Sequence, residues 1–179
     1  MIDPVTSRTW TYRLGFIVLC ALFTFFRLLP LDTSAEGWPG PDLMLALTMA
    51  WVLRRPAFVP PMLIVMVFLT ADLIFQRPPG LWAMLVLLGT EFLRARQSLS
   101  REVPFPVEWA LAGSVVLAIL IAYFALLALF MVPRPPLSVA TARAIATIGV
   151  YPLVVLASHL LFGLRKASPG EVDALGHRL

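Results

Sequence analysis

Four ionisable residues stand inside or at the ends of long apolar runs: Arg27, Asp42, Asp72 and Glu91. A charge in such surroundings is costly. It faces a protein interior or cavity, pairs with another charge, or snorkels to an interface. Three chemistries fit these residues: structural ion pairing, a polar cavity or partner-docking site, and proton or ion transfer. A relay needs carboxylates or histidines in series across the membrane. Asp72 and Glu91 are expected near opposite faces of the membrane, with no polar step between them, so pairing or snorkelling is the simplest reading. Catalysis has less support. His159 lies in the last apolar run and His177 near the C-terminus, and the adjacency of Ser158 and His159 does not itself position a nucleophile and a base. The chain carries no HExxH, no Gly-rich phosphate loop, no GxSxG and no Cys–His pair. No enzymatic activity, catalytic residue, metal or cofactor is expected.

The elements that must position these charges are themselves apolar. Of 179 residues, 60% are hydrophobic and only 13% are charged, and the mean hydropathy is +0.88. A helix in water needs a polar face, and these runs have none. Lipid is the solvent that fits, and the expected fold class is an all-α integral membrane protein with about six transmembrane helices. The net charge of +4 does not indicate nucleic acid, because the arginines are scattered between apolar runs rather than gathered into a basic patch. The single cysteine, Cys20, allows neither an internal disulfide nor a Cys-based metal site.

Spans are expected over residues 14–29, 42–53, 57–75, 81–93, 107–132 and 138–164, together a polytopic bundle over 1–167, with a short cytoplasmic tail over 168–179. The first run could be a signal peptide, with Thr33-Ser34-Ala35 as a loose cleavage site, but Arg27 interrupts it and an uncleaved span is the better reading. Gly37, Pro39, Gly40 and Pro41 mark a turn. The second span covers about 18 Å against a hydrocarbon core of about 30 Å. It must therefore be shielded by neighbours, be extended at its ends, or enter and return. Pro60 and Pro61 suit a first helical turn. Arg77 is expected in an exposed connector between the third and fourth spans, and Pro152 predicts a kink in the last span.

Basic residues set the orientation. With the N-terminus inside, the inner group is Arg8, Arg13, Arg54, Arg55, Arg94, Arg96, Arg101, Arg165, Lys166 and Arg178, and the outer group is Arg27, Arg77, Arg134 and Arg143. Both termini are then cytoplasmic. Arg27 with Asp42 or Asp72 forms a candidate outer polar cluster, and Glu91 with Arg94 a candidate inner pair at i,i+3. Arg54 and Arg55 complete the inner-side charges. Ala110, Ser114, Ala118 and Ala122, at four-residue spacing, predict a small-residue groove on the fifth span, used for packing against the sixth span or for receiving a partner helix.

Pro41-Asp42-Leu43, then Trp51 and Pro56, resemble the second span of MreD proteins, small membrane subunits of the bacterial rod-shape system; Asp72 and Gly80 continue the likeness in the third span. The resemblance is sharpest from Pro41 to Arg94. The family often has glycines four and eight residues before the aspartate, where this chain has Phe68 and Ile64. What the resemblance implies is a non-enzymatic scaffold of the cytoplasmic (inner) membrane that binds a bitopic MreC-like protein and, indirectly, MreB, RodA and a class B penicillin-binding protein. It also implies a fold like that of the substrate-binding subunits of energy-coupling-factor transporters. The alternative function is a substrate-binding subunit for a small, vitamin-type solute.

Overall fold

The computed structural model describes residues 4–29, 40–96 and 104–164, with side chains from residue 9 onward in the first of these. The expected 168–179 tail, most of the turn before Asp42, the Thr33-Ser34-Ala35 stretch, and Arg101, Arg165, Lys166 and Arg178 lie outside the described residues.

Six α-helices account for nearly all of the described chain: α1 (Pro4–Leu28), α2 (Leu43–Arg54), α3 (Pro61–Ile74), α4 (Leu81–Ala95), α5 (Phe105–Leu129) and α6 (Leu137–Phe162). A single 3₁₀ turn, Pro56–Phe58, links α2 to α3. Three helices carry stretches long and apolar enough to cross a membrane: Thr9–Leu28 in α1, Phe105–Leu129 in α5 and Leu137–Phe162 in α6. Helices α2, α3 and α4 have 12, 14 and 15 residues. The outer surface is rich in large apolar side chains, among them Leu14, Val18, Leu73, Ile121, Leu153 and Leu161. Such a continuous apolar surface belongs against lipid or a partner rather than against water.

The short second helix is shielded by its neighbours: every residue from Met44 to Arg54 is buried. It lies against α6, α4 and α1. Contacts of α4 with α5 and of α5 with α6 close a ring of four helices, α2–α4–α5–α6, with α3 packed outside on α4. The ring has two unlike ends. One carries Asp42 at the start of α2, and the other carries Arg54 at its end. Asp42 donates its N–H to Thr147 of α6 and Trp51 donates to Ser158, so α2 and α6 run parallel. Because α2 rises only about 18 Å while α5 and α6 rise nearly 40 Å, the walls of the ring extend well past Asp42.

Helix ends follow local chemistry. Pro61, Pro106 and Pro56 sit in first turns, where a missing N–H leaves no broken bond. The α3 terminus is a Schellman motif. Gln76 adopts the left-handed region, with φ of 52°, Arg77 N–H reaches the Asp72 carbonyl, and Gln76 N–H reaches that of Leu73. Met131 closes α5 the same way, with φ of 53°. Helix α6 runs without a break through Pro152. A proline leaves the carbonyl four residues earlier without its helical donor. That carbonyl belongs to Ile148, and the Trp109 indole N–H of α5 donates to it at 2.8 Å.

Close approach of α4 and α5 depends on Gly89. A Cβ there would fall 2.9 Å from both Ile119 and Val115. Gly149 on α6 faces open space. Alanine is the better helix former by about 1 kcal/mol, yet overpacking costs about 1–3 kcal/mol. Thermal unfolding in detergent should therefore show opposite signs: a lower midpoint for Gly89→Ala and an unchanged or higher one for Gly149→Ala.

Candidate functional site

Polar side chains gather at both ends of the ring. At the Arg54 end, Glu108 from the first turn of α5 is fully buried. Its Oε1 stands 3.4 Å from Arg54 Nη2 and accepts from the Tyr151 hydroxyl at 3.2 Å. Three ring helices are thus joined through one carboxylate. Beside it, Trp51 donates its indole N–H to Ser158 Oγ at 3.1 Å, which gives Ser158 a structural partner. Trp51 is also the hub of an aromatic cluster, with Phe162 at 5.4 Å, Phe16 at 5.7 Å and Tyr12 at 6.4 Å between ring centroids. Glu91 and Arg94 pair at 2.9 Å. Arg94 also donates to the carbonyls of Pro56 and Val59, which ties the C-terminus of α4 to the 3₁₀ turn. Arg55 is the C-cap of α2, its N–H bonded to the Trp51 carbonyl.

At the Asp42 end, Asp42 is the N-cap of α2. Its Oδ1 accepts from Leu45 N–H at 3.1 Å, and its Oδ2 lies 3.7 Å from Arg27 Nη1. Arg27 also sits 4.5 Å over the ring of Phe75, so one guanidinium joins α1, α2 and the end of α3. Asp72 takes a different course. It is fully buried, and its Oδ2 accepts from Ala83 N–H at 3.1 Å. This is a first-turn donor of α4 that no helical carbonyl can satisfy. Asp72 on α3 thereby caps α4, and Gly80, with φ of 82°, provides the left-handed residue that turns the chain back onto it. The charge beside Asp72 is Arg77, at 4.0 Å. Of the candidate cluster, the structure brings Arg27 to Asp42 and places Asp72 in a separate pair.

Two expectations need correction. Arg77 is not an exposed connector residue: its side chain is 16% exposed and lies 5.2 Å over both Phe75 and Trp82. The small-residue stripe of α5 is not a single face used against α6. Ala110, Ser114 and Ala118 are exposed, whereas Ala122 is half-buried against the core. Four residues advance a helix by about 400°, so the stripe winds about 40° per step and leaves its starting face within three steps. The contact with α6 runs instead through Gly113, where a Cβ would meet Ile148 at 3.4 Å.

Beyond Asp42 the ring is hollow. A cavity of about 630 Å³ lies between the N-terminal turns of α2 and α4 and the extended walls of α5 and α6. Arg77, Arg143, Gln76 and Tyr123 line it together with Trp82 and Leu120. Sequence reasoning allowed for a polar cavity without locating its walls, and it missed Glu108. Among the described residues no three of His, Cys, Asp and Glu come together as a metal site would need. Protein-family models, curated proteins and solved structures were each compared with the chain, and none matches it.

Proposed function

We propose that this chain is a non-enzymatic scaffold of the bacterial cytoplasmic membrane, with all six helices embedded and both termini cytoplasmic. In this reading it holds the membrane helix of a bitopic, MreC-like partner and supports cell-wall elongation and cell shape, reaching MreB, RodA and a class B penicillin-binding protein through that partner. The observation that carries the reading is the exposed small-residue stretch of α5, Ala110, Ser114 and Ala118, which the bundle itself leaves uncovered. Small side chains let a second helix backbone come close, and close packing is what drives helix association in lipid. The positions that resemble MreD proteins add support, because each lies at a joint of the fold. Pro41 precedes the α2 cap, Trp51 centres the aromatic cluster, the Pro56 carbonyl holds Arg94, and Asp72 with Gly80 closes the α3–α4 turn.

A second reading, a substrate-binding subunit for a small solute, is favoured by the cavity at the Asp42 end. It falls within the size range of small-molecule sites. Affinity purification of the intact protein in mild detergent separates the two. The scaffold reading expects a bitopic partner to co-purify, and the double substitution Ser114→Leu, Ala118→Leu to lose it while the protein still inserts and melts normally. Retention of the partner by that variant removes α5 as the contact. Loss of solute uptake on depletion, with rod shape and elongation intact, would replace the scaffold with the second reading.

A further inference from the structure

Among the described residues, the charges around the cavity do not balance. Asp42 is matched by Arg27 at 3.7 Å and Asp72 by Arg77 at 4.0 Å. Arg143, on the second turn of α6, has no such match. It joins none of the ion pairs among the described residues, and its Nε is buried without a hydrogen-bond partner. Its neighbour in the cavity, Thr147, is already committed: the hydroxyl accepts from Asp42 N–H and donates to the Arg143 carbonyl. A guanidinium surrounded by low-dielectric walls and left unmatched is expensive. Here it faces a space of about 630 Å³.

From this we infer that the cavity binds a singly charged amphiphilic anion, its charged group on Arg143 and its apolar part along the wall formed by Leu45, Val116 and Leu120. The charged residues that line it among the described ones, Asp42, Arg77 and Arg143, leave one net positive charge, which calls for one negative charge, as in a phosphodiester or a carboxylate. A guanidinium offers its donors as a planar fork that fits both groups. Arg77 also lines the cavity, as a second, partly engaged donor. The site is formed by α2, α5, α6 and the α3–α4 connector, whereas the proposed partner contact uses the exposed side of α5. The inference therefore holds or fails independently of the scaffold reading.

Two probes present this chemistry from different sources: phosphatidylglycerol from the membrane and decanoate from solution. Native mass spectrometry of the full-length protein in neutral detergent would read the bound fraction of each, with phosphatidylcholine, which has no net charge, as the comparison. The expected result is retention of at least one probe in preference to phosphatidylcholine, weakened at least tenfold by Arg143→Gln and unaffected by Arg134→Gln in the exposed α5–α6 connector. Whichever probe is retained identifies the source. Because Arg143 joins no ion pair among the described residues, Arg143→Gln should melt at or above the wild-type temperature. If it does not fold, Ala140→Trp, which fills the cavity while leaving the charge in place, should abolish binding instead. Equal retention of the charged probes and phosphatidylcholine overturns the inference, as does undiminished binding in Arg143→Gln or, where that variant fails to fold, in Ala140→Trp.

Discussion

Glu108→Ala should lower the stability of the purified protein by about 3–5 kcal/mol, the usual cost of removing one partner from a buried ion pair. Glu108 is fully buried and Arg54 nearly so, so water cannot take over the released charge. The Tyr151 hydroxyl loses its acceptor in the same substitution. Arg54→Ala should be comparably harmful, since it strands the carboxylate. The informative variant replaces both: Arg54→Met with Glu108→Leu should recover most of the loss, because a well-packed apolar pair of similar volume is often neutral relative to a buried salt bridge. Unfolding in mixed micelles would measure all three. If the single substitutions cost less than about 1 kcal/mol, in the range of an exposed ion pair, the pair does not join the ring at this end. If the apolar double variant is as unstable as the singles, shape rather than charge holds the contact.

Glu108 shows why part of the site was hidden in the sequence. An acidic residue in the first turn of a helix, just after two prolines, has an ordinary explanation as a surface charge that complements the helix dipole. Its burial is settled only when the end of α2 delivers Arg54 to the same depth, and no local pattern records that meeting. Helix ends were more legible, because proline and glycine act through the backbone of their own segment. The shortness of the second span correctly signalled a helix in need of shielding. It did not signal that the taller walls beside it would enclose a cavity, which depends on how far α5 and α6 overshoot. Shared depth was enough to make Arg27 and Asp42 candidates for contact. It could not decide between Asp42 and Asp72, because the choice was made by Gly80, whose left-handed turn brings the Ala83 N–H in the first turn of α4 onto Asp72.

Asp72→Ala tests that turn, and about 2 kcal/mol of destabilisation is expected. Loss of a helix cap costs about 0.5–2 kcal/mol. The capped donor is the buried N–H of Ala83, and a buried N–H left without an acceptor costs about 1–3 kcal/mol, which places this cap in the upper part of the capping range. Asp72→Asn keeps an acceptor oxygen and surrenders the charge, so about half the loss should return. Arg77→Ala should cost less than Asp72→Ala, because the carboxylate retains its backbone donor, the Ala83 N–H. It should still be measurable, since the guanidinium is packed over Phe75 and Trp82. The signature of a cap is an order of damage in which Asp72→Ala is worst, with Asp72→Asn and Arg77→Ala both milder. Hydrogen exchange locates it: Asp72→Ala should speed exchange at Ala83 far more than at the centre of α4, whereas Arg77→Ala should leave Ala83 slow. Should Arg77→Ala prove the more damaging, the ion pair rather than the cap holds α3 to α4, and Asp72 matters chiefly as the partner of Arg77.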